Sequence, residues 1–212
     1  MDLKERSVVE LADMTASKSP APGGGAIAAM TGAYGAALAA MVARLTIGKK
    51  GYEDVQSEME ALAGSADELR TELLDAIQKD SSSFDAFMDA LGMPKNTDEE
   101  KAARKEAMQS ALKEAAEVPY QTALDAAQIM PLAELAVQKG NPQAVTDALV
   151  AAMMSRTAVR SALLNVKINL ESITDEAYVA EMRSKCQELE GDVVKYESHI
   201  LSLVPELSYC RS

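Results

Sequence analysis

The chain has 212 residues, 48% of them hydrophobic but only 4% aromatic, and it has no Trp. One sizeable core is within reach, and it must be built from Ala, Leu, Val, Ile and the 12 Met. Those residues favour helices, while β-branched runs of strand length are scarce. The formal net charge of −12 repels nucleic acid and anionic membrane, so neither is expected as a partner. A single His (His199) and two separated Cys (Cys186, Cys210) exclude a His-rich zinc site and leave no ready Cys–His or Ser–His nucleophile. The expected metal is none. The cysteines read as free thiols in a reducing cytoplasm.

Breakers divide the chain into about six helical segments. Leu3 to Thr15 reads as the first, and the charged stretch Met1 to Glu10 has no apolar segment of a signal peptide. Ser19-Pro-Ala-Pro-Gly-Gly-Gly25 follows, with three glycines where a helix is about to begin. Gly23, Gly24 and Gly25 let backbone N–H groups approach a ligand, or simply make a turn. The second helix, Ala26 to Thr46, opens with eighteen uncharged residues to Ala43. A membrane span is the alternative there, but Gly and Ala barely favour lipid. Arg44, Lys49 and Lys50 gather at its end. On so acidic a chain this cluster reads as an anion site, or as cations snorkelling from a core helix.

Tyr52 to Leu91 is a third, very long helix with Gly64 as a possible bend, followed by a connection over 92–97. Thr97-Asp-Glu-Glu100 is a capping box, and the fourth helix runs to about Gln138 with Pro119 and Pro131 as kinks or breaks. In Gly140-Asn-Pro142, Gly140 ends one helix at C′, Asn141 caps the next and Pro142 starts it. The fifth helix reaches about Leu170. The sixth runs from Asp175 to Leu203 and ends before Pro205. The fold class expected is all-α, one domain over residues 1–212, an elongated bundle of about six helices, two of them very long, that dimerises.

Two helices carry polar groups on apolar faces. At 100° per residue Asp80 shares the stripe of Leu62, Leu69, Leu73, Phe84, Phe87 and Leu91. Desolvation there would raise its pKa toward the range of a general acid or base. The alternatives are pairing with a buried cation, or a place in a wet groove. On the fifth helix Asp147 and Asn165 are five full turns apart and point the same way, with Asn169 one turn further. They form a groove able to bond a flat heterocycle, or interhelical bonds that fix packing.

Taken in order, Ala21-Pro-Gly-Gly-Gly25, Thr46-Ile-Gly-Lys-Lys-Gly-Tyr52, Asp80 to Phe84, Met93-Pro-Lys-Asn-Thr-Asp-Glu-Glu-Lys101, Gly140-Asn141 with Asp147, and Asn165-Val-Lys-Ile-Asn169 resemble the cyclodeaminase domain of the formiminotransferase-cyclodeaminase family and its stand-alone relatives, the methenyltetrahydrofolate cyclohydrolases. The resemblance covers roughly residues 5 to 200. It implies an all-α dimer with folate near the subunit interface, and Asp80, four residues before Phe84, as the active-site acid/base. It implies no cofactor beyond the tetrahydrofolate substrate, which could be polyglutamylated. Arg44, Lys49 and Lys50 would then hold the glutamate tail, with the glycine loop nearby, and Asp147, Asn165 and Asn169 the pterin edge. Ser81 to Ser83 differ from the more acidic neighbourhood of the two-domain enzyme, which leaves ammonia loss and hydrolysis both open. The competing expectation is a non-catalytic helical bundle, folate-binding or adaptor, whose glycine loop and grooves only fix packing.

Overall fold

A computed structural model describes residues 2–207; Cys210 lies outside them. Its helices are α1 (Val8–Thr15), α2 (Gly24–Arg44), α3 (Gln56–Gly92), α4 (Asp98–Ala127), α5 (Ile129–Lys139), α6 (Val145–Leu170) and α7 (Glu176–Ser202), with no strand among the described residues. Seven α-helices stand where about six are expected because the fourth segment divides into α4 and α5, and the first segment also starts its α-helix late. The first segment is split by a capping box in which Ser7 and Glu10 exchange bonds, so a 3-10 turn (Leu3–Glu5) precedes α1. The fourth breaks at Gln128, three residues before Pro131, whose ring cannot follow a helix's preceding turn. Pro119 does not break α4. Gly64 lies inside an uninterrupted α3.

The Thr97–Glu100 capping box forms as expected, and Asn141 accepts from the Gln143 N–H with Pro142 following. Gly140 is not in the left-handed conformation of a C′ glycine; its φ is −75°. It is glycine because space is missing. A Cβ there would lie 2.4 Å from the Ala136 carbonyl oxygen and 2.8 Å from Val42 Cγ1.

Helices α2, α3, α4 and α6 form a four-helix bundle in which each neighbour runs antiparallel. Gly24 meets Asn165, Gly35 meets Ala151, and Asn141 reaches Leu45, so α2 and α6 oppose each other. Asp80 meets Ala26 and Leu73 meets Gly32, which orients α3 the same way. The Arg104 guanidinium reaches the Leu91 carbonyl, pairing α4 with α3. Twelve residues of α2 are buried, all Ala or Gly except Val42. Such slim residues let three neighbours approach one helix, and bulk comes from Met59, Leu62, Leu73, Ile77, Met130 and Leu163. Among the described residues α2 alone is long and apolar enough to cross a membrane, and most of it is buried inside this bundle. Helix α7 flanks α6 through Arg156–Glu197 and Arg160–Glu190 ion pairs. Cys186 is buried and unbridged.

Candidate active site

One end of the bundle holds a cavity of about 450 Å³, within the range of small-molecule sites. Every bundle helix contributes: Gly24 and Gly25 from α2, Asp80, Ser83, Phe84 and Phe87 from α3, Leu112 and Ala115 from α4, and Asn165, Ile168 and Asn169 from α6. Pro20, Ala21 and Gly23 close it from the preceding turn.

Asp80 is fixed by an unusual cap. Helix α2 starts after Gly23, which has no side chain to accept from the first turn. Asp80 does this from 54 positions along the chain: its Oδ2 accepts the Ala26 N–H at 2.9 Å. Ala26 is the third residue of α2, the donor that an N-cap side chain ordinarily satisfies. Gly25 makes room, because a Cβ on it would sit 2.0 Å from Asp80 Oδ1. Burial pushes the Asp80 carboxyl above the ordinary carboxylate range, and the Ala26 N–H offsets part of that. No cation among the described residues pairs with it, so the ion-pair alternative fails. The Ser83 hydroxyl turns back to the Asp80 carbonyl oxygen at 2.8 Å, while Phe84 and Phe87 form an aromatic wall.

The two asparagines of α6 differ in role. Asn169 donates to the Ala115 carbonyl at 2.6 Å and to the Asn165 carbonyl at 3.0 Å. The first bond has a cause in the sequence. Pro119 lacks the N–H that would have bonded Ala115 four residues earlier, and Asn169 fills the vacancy. Asn165 donates only to the Ser161 carbonyl, at 2.9 Å, and its amide lies 3.3 Å from where a Cβ on Gly24 would be. The side-chain oxygens of both asparagines have no protein donor among the described residues.

The structure thus brings together Gly23, Gly24, Gly25, Asp80, Asn165 and Asn169. It does not bring the other expected residues to them within one chain. Asp147 is in the first turn of α6, eighteen residues from Asn165 and so about 27 Å away. A shared helix face does not make a shared pocket. Arg44 is at the far end of α2, about 30 Å from Gly24, and is ion-paired with Asp67. The expected closeness of the cations to the glycine loop is therefore corrected for the single chain. Lys49 lies 5.8 Å over the Tyr52 ring, and Lys50 is exposed.

Sequence reasoning missed the Ala26 N–H, which has no side-chain signature, and the α4 wall at Leu112 and Ala115. It also passed over Asp125, a buried carboxyl on α4 that accepts from Gln121 at 2.7 Å and is pushed upward by burial. Asp125 lies outside the cavity.

The family model described as formiminotransferase-cyclodeaminase matches residues 7–188. The methenyltetrahydrofolate cyclohydrolase of Methylorubrum extorquens is 44% identical over 179 residues, covering 84% of this chain and 85% of that protein. The formimidoyltransferase-cyclodeaminase of Sus scrofa is 36% identical over 173 residues, 82% of this chain but only 32% of that protein, so the chain spans about a third of this longer relative. The crystal structure of formiminotetrahydrofolate cyclodeaminase from Thermotoga maritima superposes with a TM-score of 0.86 at 33% identity, covering 97% of this chain and 98% of that one. With the family model, a relative matched along 85% of its length and an end-to-end structural match in agreement, the chain belongs to the formiminotransferase-cyclodeaminase family.

Proposed function

We propose that this protein is an enzyme of folate one-carbon metabolism that acts on the carbon between N5 and N10 of tetrahydrofolate, with Asp80 as its proton shuttle. The observation that carries the reading is the Asp80 carboxyl, half-buried, desolvated and held by a backbone N–H at the wall of a cavity of about 450 Å³. Phe84 and Phe87 would stack on the flat pterin. The free side-chain oxygens of Asn165 and Asn169 would accept from its amino edge.

Hydrolysis of 5,10-methenyltetrahydrofolate comes first, because the relative at 44% identity, matched along most of its length, is a cyclohydrolase. The Asp80 carboxylate removes a proton from water as its oxygen attacks the methenyl carbon. The tetrahedral adduct collapses as its hydroxyl gives its remaining proton to solvent and becomes the formyl C=O; the bond to N5 breaks, N5 takes the proton held by Asp80, and 10-formyltetrahydrofolate leaves. The structural match to a cyclodeaminase supports a second reading at the same site. There N10 attacks the formimino carbon and the ring closes; Asp80 delivers a proton to departing ammonia and takes up the one that N10 releases. Both reactions need one shuttle and an oriented substrate.

The working form in this reading is a cytoplasmic homodimer, and its tetrahydrofolate substrate can carry a polyglutamate tail. Absorbance of methenyltetrahydrofolate tests it: the band falls with hydrolysis and rises with cyclodeamination of the formimino substrate. Asp80→Asn should lower the rate by about 10²–10⁴ while folate still binds. A purified protein that binds folate but turns over neither substrate would leave only the non-catalytic reading.

A further inference from the structure

The cavity that should hold folate is lined by two carboxylates, Asp80 and Glu171, and by no Lys or Arg. A folate ends in a glutamate with carboxylates of its own, so its tail must find a counter-charge outside the cavity. The ends of the helices show where the tail can run. Helix α2 begins at Gly24, level with Asp80, whose carboxyl accepts from Ala26. Helix α6 ends at Leu170, level with Ala115, whose carbonyl Asn169 holds. Helices α3 and α4 continue past both as an antiparallel hairpin over residues 81–114.

On α3 the stripe that carries Asp80 runs on through Phe84, Phe87 and Leu91, spaced four, three and four residues apart. Inside the bundle this stripe packs on α2, where Leu73 meets Gly32 and Asp80 meets Ala26. Past Gly24 that helix is missing. The chain's two Phe therefore stay only half-buried, and Leu91 is 39% exposed. On α4, Arg104 stands eleven residues before Ala115, a wall of the cavity. Eleven residues are three turns and about 20°, so Arg104 lies on the same side of α4 as that wall. Leu91 is likewise eleven residues beyond Asp80. The two helices run antiparallel, so Leu91 and Arg104 meet at one level, about 16 Å from the reacting end. Arg104 Nε and Nη2 donate to the Leu91 carbonyl at 3.1 and 2.9 Å. The carbonyl occupies the Nε edge of the fork and leaves the Nη1–Nη2 edge free for a carboxylate. Among the described residues no carboxylate pairs with this guanidinium, unlike that of Arg44 with its Asp67.

We propose that Arg104 recognises the glutamate of the folate substrate, with the p-aminobenzoyl ring lying along Phe87 and Leu91 on the open side of the α3–α4 hairpin. The inference rests on the folate reading above and deepens it by naming the residue that selects the tail. Asp80 and Asn165 flank the start of α2, one against Gly25 and the other against Gly24. A pterin that spans the cavity between them leaves its p-aminobenzoyl arm to run along the hairpin. Standard bond lengths carry the carboxylates of the first glutamate about 13 Å beyond N10. A charge-assisted bond of about 3 Å then closes the distance to the guanidinium. The apolar stripe suits the ring, and the cation stands where the stripe ends. The alternative is that Arg104 only caps the open carbonyls at the end of α3.

Two substrates separate these roles: 5,10-methenyltetrahydrofolate, and 5,10-methenyltetrahydropteroate, which is the same molecule without its glutamate. Arg104→Gln in the full-length protein removes the charge and keeps an amide donor toward Leu91. It should raise KM for the folate about tenfold and leave kcat unchanged. KM for the pteroate should not move. The wild-type preference for the folate should shrink at high salt, because exposed charge pairs are screened. Lys105→Gln, on the exposed side of α4, should change neither KM. A loss of the α3 cap would weaken both substrates alike, so equal rises in KM overturn the proposal, as does a wild type that does not distinguish the two. Calorimetric binding of 5-formyltetrahydrofolate and 5-formyltetrahydropteroate makes the same comparison without turnover. A protein that binds the folate but turns over neither reaction's substrate loses the enzymic reading, while the affinities still decide Arg104. A protein that binds neither ligand ends both.

Discussion

Gly25→Ala should disable the site without unfolding the protein. Its Cβ would stand 2.0 Å from Asp80 Oδ1, 2.6 Å from Cγ and 2.8 Å from Oδ2. Ordinary contact begins near 3.4 Å, so the carboxyl must retreat by more than 1 Å. That breaks the 2.9 Å bond from the Ala26 N–H. Losing a helix cap costs about 1 kcal/mol, and replacing Gly by Ala inside a helix returns about 0.5–1 kcal/mol. Net stability should therefore change little, and the melting temperature should stay within a few degrees of wild type. Turnover should fall by about 10² or more, the effect of displacing a catalytic group by 1 Å. Asp80→Asn makes the contrasting variant. Its amide oxygen can still accept from Ala26, so the cap survives and only proton exchange is lost. Methenyltetrahydrofolate absorbance and thermal unfolding on the same samples give the answer. A Gly25→Ala enzyme with near wild-type turnover and an unchanged melting temperature would refute the claim that the placement of Asp80 carries the chemistry.

The pH profile should separate the two reactions. As a base in hydrolysis Asp80 must be ionised, so activity falls as pH drops through its raised pKa; as an acid in cyclodeamination it must be protonated, so activity falls as pH rises through the same value. Identical limbs for both substrates, or a limb that survives Asp80→Asn, would assign the titration elsewhere. Asp125 should act on stability alone. Its folded pKa lies above its unfolded one, so the ionised form is penalised at neutral pH and the penalty fades as pH falls through the folded pKa. Asp125→Asn, which can keep the Gln121 bond, should melt higher than wild type at pH 7 and converge with it in acid; a lower melting temperature at pH 7 contradicts this. Asn169→Ala orphans the Ala115 carbonyl and should cost about 1–3 kcal/mol in denaturant unfolding, whereas Asn165→Ala loses one local bond and should raise KM with little change in stability.

Most of the helices were legible because their signals are local. Capping boxes, a Gly-Asn-Pro stop and start, and long apolar periodicities each act within a few residues; they mark the start of α4 correctly, and the Asn141 cap opens the 3-10 turn (Pro142–Ala144) that leads into α6. The misplaced start of α1 was also local, but it was decided by competition. Ser7 and Glu10 cap strongly enough to start α1 anew inside a stretch that otherwise reads as helical. Gly140 shows a third kind of limit. Its place at a helix end is written in the sequence, but part of its reason, the closeness of Val42 from α2 beside that of its own helix's Ala136 carbonyl, is tertiary.

The site was legible in a different way. Asp80 announced itself by standing on an apolar stripe, an argument that needs only its own helix. Its partner could not announce itself, because a backbone N–H has no residue type. What the triple glycine marked was an absence, and only packing shows that the space it leaves is filled by the Asp80 carboxyl. Asp147 shows where face arithmetic stops: periodicity fixes an angle around a helix but is silent on distance along it, and five turns kept the angle while adding about 27 Å. The same limit explains the cations. One helix that starts at the glycine turn and ends at the lysines must hold them its own length apart, so a chain that uses both in one site needs a second, antiparallel copy of that helix.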